Sequence, residues 1–132
     1  MKGLDSMKIH ESAENYLETI LVLKERNGNV RAIDIANELE FSKPSVSVAM
    51  KNLRTNGYIQ VDDSGSINLL PEGEKIAREV YEKHTLLTQY LINLGVPAEI
   101  AAEDACRIEH VISDNSLAAI TKHLKQYGKG TV

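Results

Sequence analysis

The chain has one cysteine, Cys106, among its 132 residues. A single cysteine excludes a fold held by internal disulfides, so this thiol is either a buried apolar residue or a chemically active one. Long apolar runs are also lacking, and none approaches the roughly 20 residues that span a bilayer. The N-terminal residues carry scattered charges and lack the apolar core of a secretory signal. We therefore expect a cytoplasmic protein with no membrane partner.

Acidic residues are missing from one segment, residues 41–61, which contains Lys43, Lys51 and Arg54. The net charge of −4 argues mildly against a nucleic-acid partner. The distribution of charge matters more than its sum, because a local basic surface can still meet phosphates. A chance gap in acidic residues would give the same pattern, so a DNA contact needs support from a structural motif.

Hydrophobic residues make up 42% of the chain and charged residues 26%, which is ordinary for a globular protein. Helical periodicity predicts helices over residues 11–26, 32–39, 45–56, 70–94, 98–112 and 115–126. Between the third and fourth of these the period changes to two at residues 59–61 and again at residues 67–69, which predicts the two strands of a β-hairpin. The predicted fold is mainly α, with domains at residues 1–72 and 73–132.

Helix, short helix, tight turn, helix and hairpin, in this order, are typical of a winged helix–turn–helix. In such a motif the second helix of the pair enters the major groove and presents its outer face to base edges. Ser42 can cap this helix and Pro44 suits its first turn. Protein contact alone is the alternative use of the motif. The candidate DNA-binding residues are Arg31, Ser42, Lys43, Pro44, Ser45, Ser47, Val48, Lys51, Asn52 and Arg54.

Three potential metal ligands, Cys106, Glu109 and His110, follow one another at helical spacing and share one helix face. Thiolate, carboxylate and imidazole together suit a divalent transition metal. The alternative is a core cysteine beside a solvated polar edge formed by the other two. His84 in the long helix is unremarkable alone. So are Asn15 and Glu18, which could lie on the exposed side of the first helix.

Read together, these features resemble the diphtheria toxin repressor family, which includes iron-sensing and manganese-sensing branches. The resemblance extends from about Ser12 to Leu124. Its most specific stretches are Glu14–Ile20, Phe41–Val46, Leu70–Glu74 and Asp104–Ser113. It implies a metal-dependent transcriptional repressor, not an enzyme, in the short two-domain form without an SH3-like third domain.

The resemblance also implies a set of metal ligands. The Cys106 position is cysteine in the iron branch and glutamate in the manganese branch, so we expect Fe(II) to be favoured and Mn(II) to come next. Zn(II) or Co(II) could bind in vitro. Asn15 departs from both branches, and Ala102 stands where the iron branch often has an ancillary histidine ligand. The implied ligands are Asn15, Glu18, His84, Cys106, Glu109 and His110.

The implied mechanism is a clamp. Asn15 and Glu18 belong to the predicted DNA-binding domain, whereas the other four ligands belong to the second domain. Metal bound to both sets would fix the geometry of a homodimer on a palindromic double-stranded operator. The helices after Pro71 carry the apolar faces from which we expect the dimer to form. The alternatives are a metal-independent winged-helix regulator that senses an organic ligand and, more remotely, a small metallohydrolase.

Overall fold

A computed structural model describes the backbone over residues 2–128 and the side chains over residues 12–126. The chain forms two compact units, Met1–Glu79 and Val80–Val132. The domain boundary at residues 72/73 stays a prediction. Across the described residues, no helix is both long enough and apolar enough to cross a membrane.

The first unit has the element order of the predicted winged helix–turn–helix, and the mainly α fold class is confirmed. Its second helix and both strands have the predicted bounds, whereas its first helix begins well before residue 11. The elements are α1 (Lys2–Asn27), α2 (Ala32–Leu39), α3 (Lys43–Thr55), β1 (Ile59–Val61), β2 (Ile67–Leu69) and the beginning of α4 (Pro71–Asn93).

The core of the first unit forms because each helix places its apolar residues on one face. In α3, Val46, Met50 and Leu53 are buried at the spacing of an amphipathic helix. The predicted cap of α3 is confirmed, since the Ser42 hydroxyl accepts a hydrogen bond from the Ser45 N–H at 3.3 Å. Pro44 occupies the first turn of this helix. The remaining core residues include Tyr16, Leu17, Ile20, Leu21, Leu23, Val30, Ile35, Ile59 and Ile67.

The wing is an antiparallel pair in which β1 and β2 align Gln60 with Asn68. The Asp62 carboxylate closes its turn by accepting hydrogen bonds from the N–H groups of Ser64 and Ser66 at 3.0 and 2.9 Å. Hydrogen bonds from Ser64 and Ser66 hold the pKa of Asp62 below its usual value. The N–H of Ile67 donates to the Val30 carbonyl at 2.8 Å, which ties the wing to the loop before α2.

The second unit contains the rest of α4, then α5 (Ala98–Ile108), α6 (Asp114–His123) and a π-helical segment, Leu124–Gly128. The predicted end of the fifth helix at residue 112 is wrong. α5 ends at Ile108, and turn residues 109–111 follow it. Ser113 is extended and caps α6, since its hydroxyl accepts from the Ser116 N–H at 3.1 Å. The predicted start of the sixth helix at residue 115 is one residue late. Val80, Leu87, Ala101 and Ala105 are buried in this unit.

Candidate metal centre and DNA-binding surface

The second unit brings Cys106, Glu109 and His110 together. One potential ligand atom from each of them lies within 4.8 Å of the other two. Cys106 lies in the last turn of α5 and Glu109 is its C-cap residue with helical backbone angles. The helical spacing therefore continues past the end of α5, and the predicted shared face is present although the helix is shorter.

His84, in the middle of α4, belongs to the same cluster. Its Nδ1 lies 3.0 Å from Oε2 of Glu109, while Nε2 of His110 lies 3.4 Å from Oε1 of Glu109. The Glu109 carboxylate thus lies between two imidazoles from different parts of the unit. Both histidine side chains are mostly buried, with 28% and 9% of their surface exposed.

The Glu109 side chain is fully buried. The alternative that Glu109 belongs to a solvated polar edge is therefore wrong. Within the described part of the chain, its Oε1 accepts no hydrogen bond. Nε2 of His110, at 3.4 Å, is near this oxygen but makes no hydrogen bond to it. A buried carboxylate oxygen that accepts no hydrogen bond is costly, and a cation is a partner that relieves this cost. Sulfur, oxygen and nitrogen donors converge here, which is a ligand set that fits a divalent transition metal.

Asn15 and Glu18 lie in α1 of the first unit. The Asn15 side chain is partly buried, and its backbone carbonyl accepts a hydrogen bond from the Thr19 hydroxyl at 2.8 Å. Glu18 is 8% exposed, so the alternative that it lies on the solvent side of the helix is wrong. A buried carboxylate is rare unless it has a specific partner or role.

The outer face of α3 carries the candidate DNA-reading residues. Ser45, Ser47, Val48, Lys51 and Asn52 are all exposed, on the side away from the buried stripe of this helix. The Ser42 hydroxyl lies 2.8 Å from that of Ser45, so these two side chains interact within the helix cap. The side chains at the amino-terminal end of α3 are exposed to solvent. Helices that read the major groove contact bases from this end.

The basic residues of this surface are also exposed. Lys43 begins α3, Arg54 lies in its last turn, and Arg31 precedes α2. The Arg31 backbone N–H donates to the Asp34 carboxylate at 2.9 Å, and its guanidinium contributes to the lowered pKa of Asp62 in the wing. The Arg31 charge is therefore close enough to the wing to interact with it.

The wing is attached to the end of α1 and to the loop after it by polar contacts that the sequence does not predict. The Lys24 ammonium donates a hydrogen bond to the Asn68 side chain, and the Ser66 hydroxyl donates to the Asn29 side chain. These polar residues look like ordinary surface positions in the sequence. The alternation of Ile67 and Leu69 predicts the strand β2. No sequence pattern predicts that polar residues in and beside this strand bond to Lys24 and Asn29.

Two family models match the chain and together cover most of it. Residues 8–66 match the N-terminal DNA-binding domain of the iron-dependent repressors. Residues 70–129 match the metal-binding and dimerisation domain of the same proteins.

Individual relatives agree with these matches. The transcriptional regulator MntR of Salmonella typhimurium is 37% identical over 118 residues, which is 89% of this chain and 75% of that protein. The diphtheria toxin repressor of Corynebacterium diphtheriae is 32% identical over 120 residues, which is 90% of this chain and 53% of that protein. The solved manganese regulator SloR has a TM-score of 0.76 and 31% identity, covering 86% of this chain and 53% of that one. The chain spans about half the length of the last two relatives.

Proposed function

The chain belongs to the iron-dependent repressor family of metal-dependent transcriptional regulators, and we propose that it represses metal-homeostasis genes when a divalent transition metal is bound. The observation that carries this proposal is the fully buried Glu109 carboxylate beside two histidines and a cysteine. As a regulator that acts on chromosomal DNA, it would work in the cytoplasm. Its relatives are regulators, which disfavours the metallohydrolase alternative.

We propose that His84, Cys106, Glu109 and His110 hold the metal, and that Asn15 and Glu18 complete the ligand set. Support for the first four comes from their clustering and burial in the second unit. Support for the other two comes from the family resemblance and from their oxygen donors, one of which belongs to a buried carboxylate. When bound, the metal would supply positive charge and fixed coordination at Glu109.

This ligand set gives the metal a way to control DNA binding. Because the proposed ligands come from both units, bound metal would restrict how the two α3 helices of a dimer can be oriented. A palindromic operator is bound well when the spacing of the two α3 helices fits one turn of DNA. Since the coupling is reciprocal, DNA also raises the affinity for metal, and a typical coupling changes affinity about 5- to 150-fold.

The proposal is tested on a duplex that the full chain selects from a randomised library in the presence of Mn(II). Fluorescence anisotropy measures Kd for this duplex with EDTA and with anaerobic Fe(II) or Mn(II). We expect binding to tighten about 5- to 150-fold with metal. Equal affinity in EDTA and in metal would favour a metal-independent regulator.

We propose that the second unit forms the homodimer. Several of its large apolar side chains are exposed in the single chain, including Leu94 at 63%, Val111 at 60% and Ile100 at 50%. A symmetric contact between two copies would bury such residues. Light scattering on the DNA-binding samples should give the mass of a dimer.

We propose that Fe(II) is favoured over Mn(II) because Cys106 offers a thiolate. Soft sulfur donors favour later first-row metals, whereas manganese prefers oxygen ligands. The carboxylates of Glu18 and Glu109 can bind either metal, so the order of affinity for Fe(II) and Mn(II) depends on Cys106. The likeness to a manganese regulator makes Mn(II) the main competitor.

Replacing Cys106 with Glu is expected to reverse the ranking of the two metals. The variant exchanges a soft ligand for an oxygen ligand in the same cluster. The measurement is the metal concentration that gives half-maximal DNA binding, taken for Fe(II) and Mn(II) in parallel. Cys106→Ser is the control that removes the thiolate without adding a carboxylate, and it should weaken the response to both metals. An unchanged ranking in Cys106→Glu would remove Cys106 from metal selection.

Replacing Lys51 with Ala is expected to weaken DNA binding for all sequences and to flatten its salt dependence. The exposed ammonium lies on the outer face of α3, and each phosphate contact contributes about 0.9 to the slope of log K against log salt concentration. Anisotropy titrations at several salt concentrations measure this slope. Lys75→Ala removes the same charge from an exposed position of α4 and should leave it unchanged. Equal slopes in both variants would place Lys51 away from the DNA.

A further inference from the structure

Val48 is an apolar side chain on the exposed face of α3, where its neighbours Ser45, Lys51 and Asn52 are polar. Every side chain of α3 is described, and among its large apolar residues Val48 alone is exposed, at 60%. Val46, Met50 and Leu53 are between 0% and 6% exposed. The fold of the first unit therefore does not require an apolar residue at position 48.

The neighbours of Val48 favour DNA as its partner. Residues three and four apart share a helix face, so Val48 lies in one row with Ser45, Lys51 and Asn52. The segment around it lacks acidic residues and exposes basic ones. A negatively charged surface can therefore approach this face closely, whereas the exposed cations disfavour a purely apolar partner.

The chemistry of valine restricts what it can recognise in DNA. Its side chain neither donates nor accepts hydrogen bonds, so it can contribute apolar contact alone. In the major groove the C5 methyl group of thymine is the apolar feature of the base edges. Val48 is the sixth residue of α3, within the amino-terminal half from which such helices contact bases.

We propose that Val48 packs against a thymine methyl group in each half of the operator and makes thymine the preferred base there. The inference rests on the proposed function and adds a base preference to it. It also assigns different roles along the face, because Lys51 meets a phosphate at any sequence while Val48 discriminates between bases.

The test uses the selected duplex described above, with one symmetric pair of thymines at a time replaced by deoxyuridine. This exchange removes the methyl group and keeps every hydrogen-bonding atom of the base. At the position facing Val48 we expect Kd to rise about fourfold for each methyl, or about 15-fold for the pair, as for burial of a single methylene-sized group. The Val48→Ala variant should bind the thymine and uracil duplexes with nearly equal affinity at that position.

Lys51→Ala is the matched control, because it should weaken binding to both duplexes and keep their ratio. If no thymine pair is sensitive, or if Val48→Ala keeps the full sensitivity, the inference is overturned while metal-dependent DNA binding stands. If the metal-loaded chain enriches no sequence at all, the proposed function fails and the inference fails with it.

Discussion

Replacing Glu109 with Gln is expected to abolish the response of DNA binding to metal. The substitution keeps the size of a fully buried side chain and removes its negative charge. Loss of a residue that only hydrogen-bonds to a metal ligand already costs about 10- to 100-fold in metal affinity, so loss of a direct ligand should cost at least about 100-fold. The ratio of DNA affinities with and without metal, expected to be about 5 to 150 for the native chain, should fall close to one in the variant.

Two measurements separate this effect from misfolding. Co(II) titration followed by visible absorption reports metal affinity without DNA, and circular dichroism reports the helical content of the variant. Glu103→Gln is the control, because Glu103 lies on α5 but is exposed. It should bind metal and DNA as the native chain does. A Glu109→Gln variant that still tightens on DNA with metal would exclude Glu109 as a ligand.

Replacing Gly73 with Ala is expected to destabilise the first unit, against the general preference of helices for alanine. In an unhindered helix, Gly to Ala stabilises by about 0.5–1 kcal/mol. Here a Cβ atom at position 73 would lie 2.1 Å from the Tyr58 carbonyl oxygen, which accepts a hydrogen bond from the Leu70 N–H at 2.9 Å. Relieving this clash must move backbone, which we expect to cost about 2–3 kcal/mol.

Urea denaturation measures the change in the free energy of unfolding. Lys75→Ala, an exposed change two residues further along α4, should stay within about 0.5 kcal/mol of the native chain. A Gly73→Ala variant as stable as the native chain would mean that the start of α4 can move away from Tyr58. The sign of the effect therefore tests the contact itself.

The sequence predicts those parts of the fold that depend on local pattern. Apolar spacing gave the bounds of α2 and of both strands, and side-chain chemistry gave the cap at Ser42. The helical spacing of Ile108, Val111 and Ile112 continues past the end of α5 at Ile108, so spacing alone does not report where this helix stops. The close packing of Gly73 against Tyr58 joins residues that no periodic pattern connects.

The candidate metal site was predictable to a similar extent. Spacing places Cys106, Glu109 and His110 on one face, and the structure keeps them together. The burial of Glu109 could not be predicted, because a glutamate at such a position is more often solvated. The distance from His84 to Glu109 depends on how α4 packs against the end of α5, which is a tertiary property.

The buried and the exposed residues of α3 have different roles, and this affects how the sequence of the protein can change in evolution. Its buried residues hold the helix in place, and its outward residues contribute little to the core. Substitutions at exposed positions usually change stability by less than about 0.5 kcal/mol. Mutations at Ser47, Val48 or Asn52 can therefore accumulate without unfolding the protein. A descendant could acquire a new set of target genes in a few such steps while retaining the same metal response.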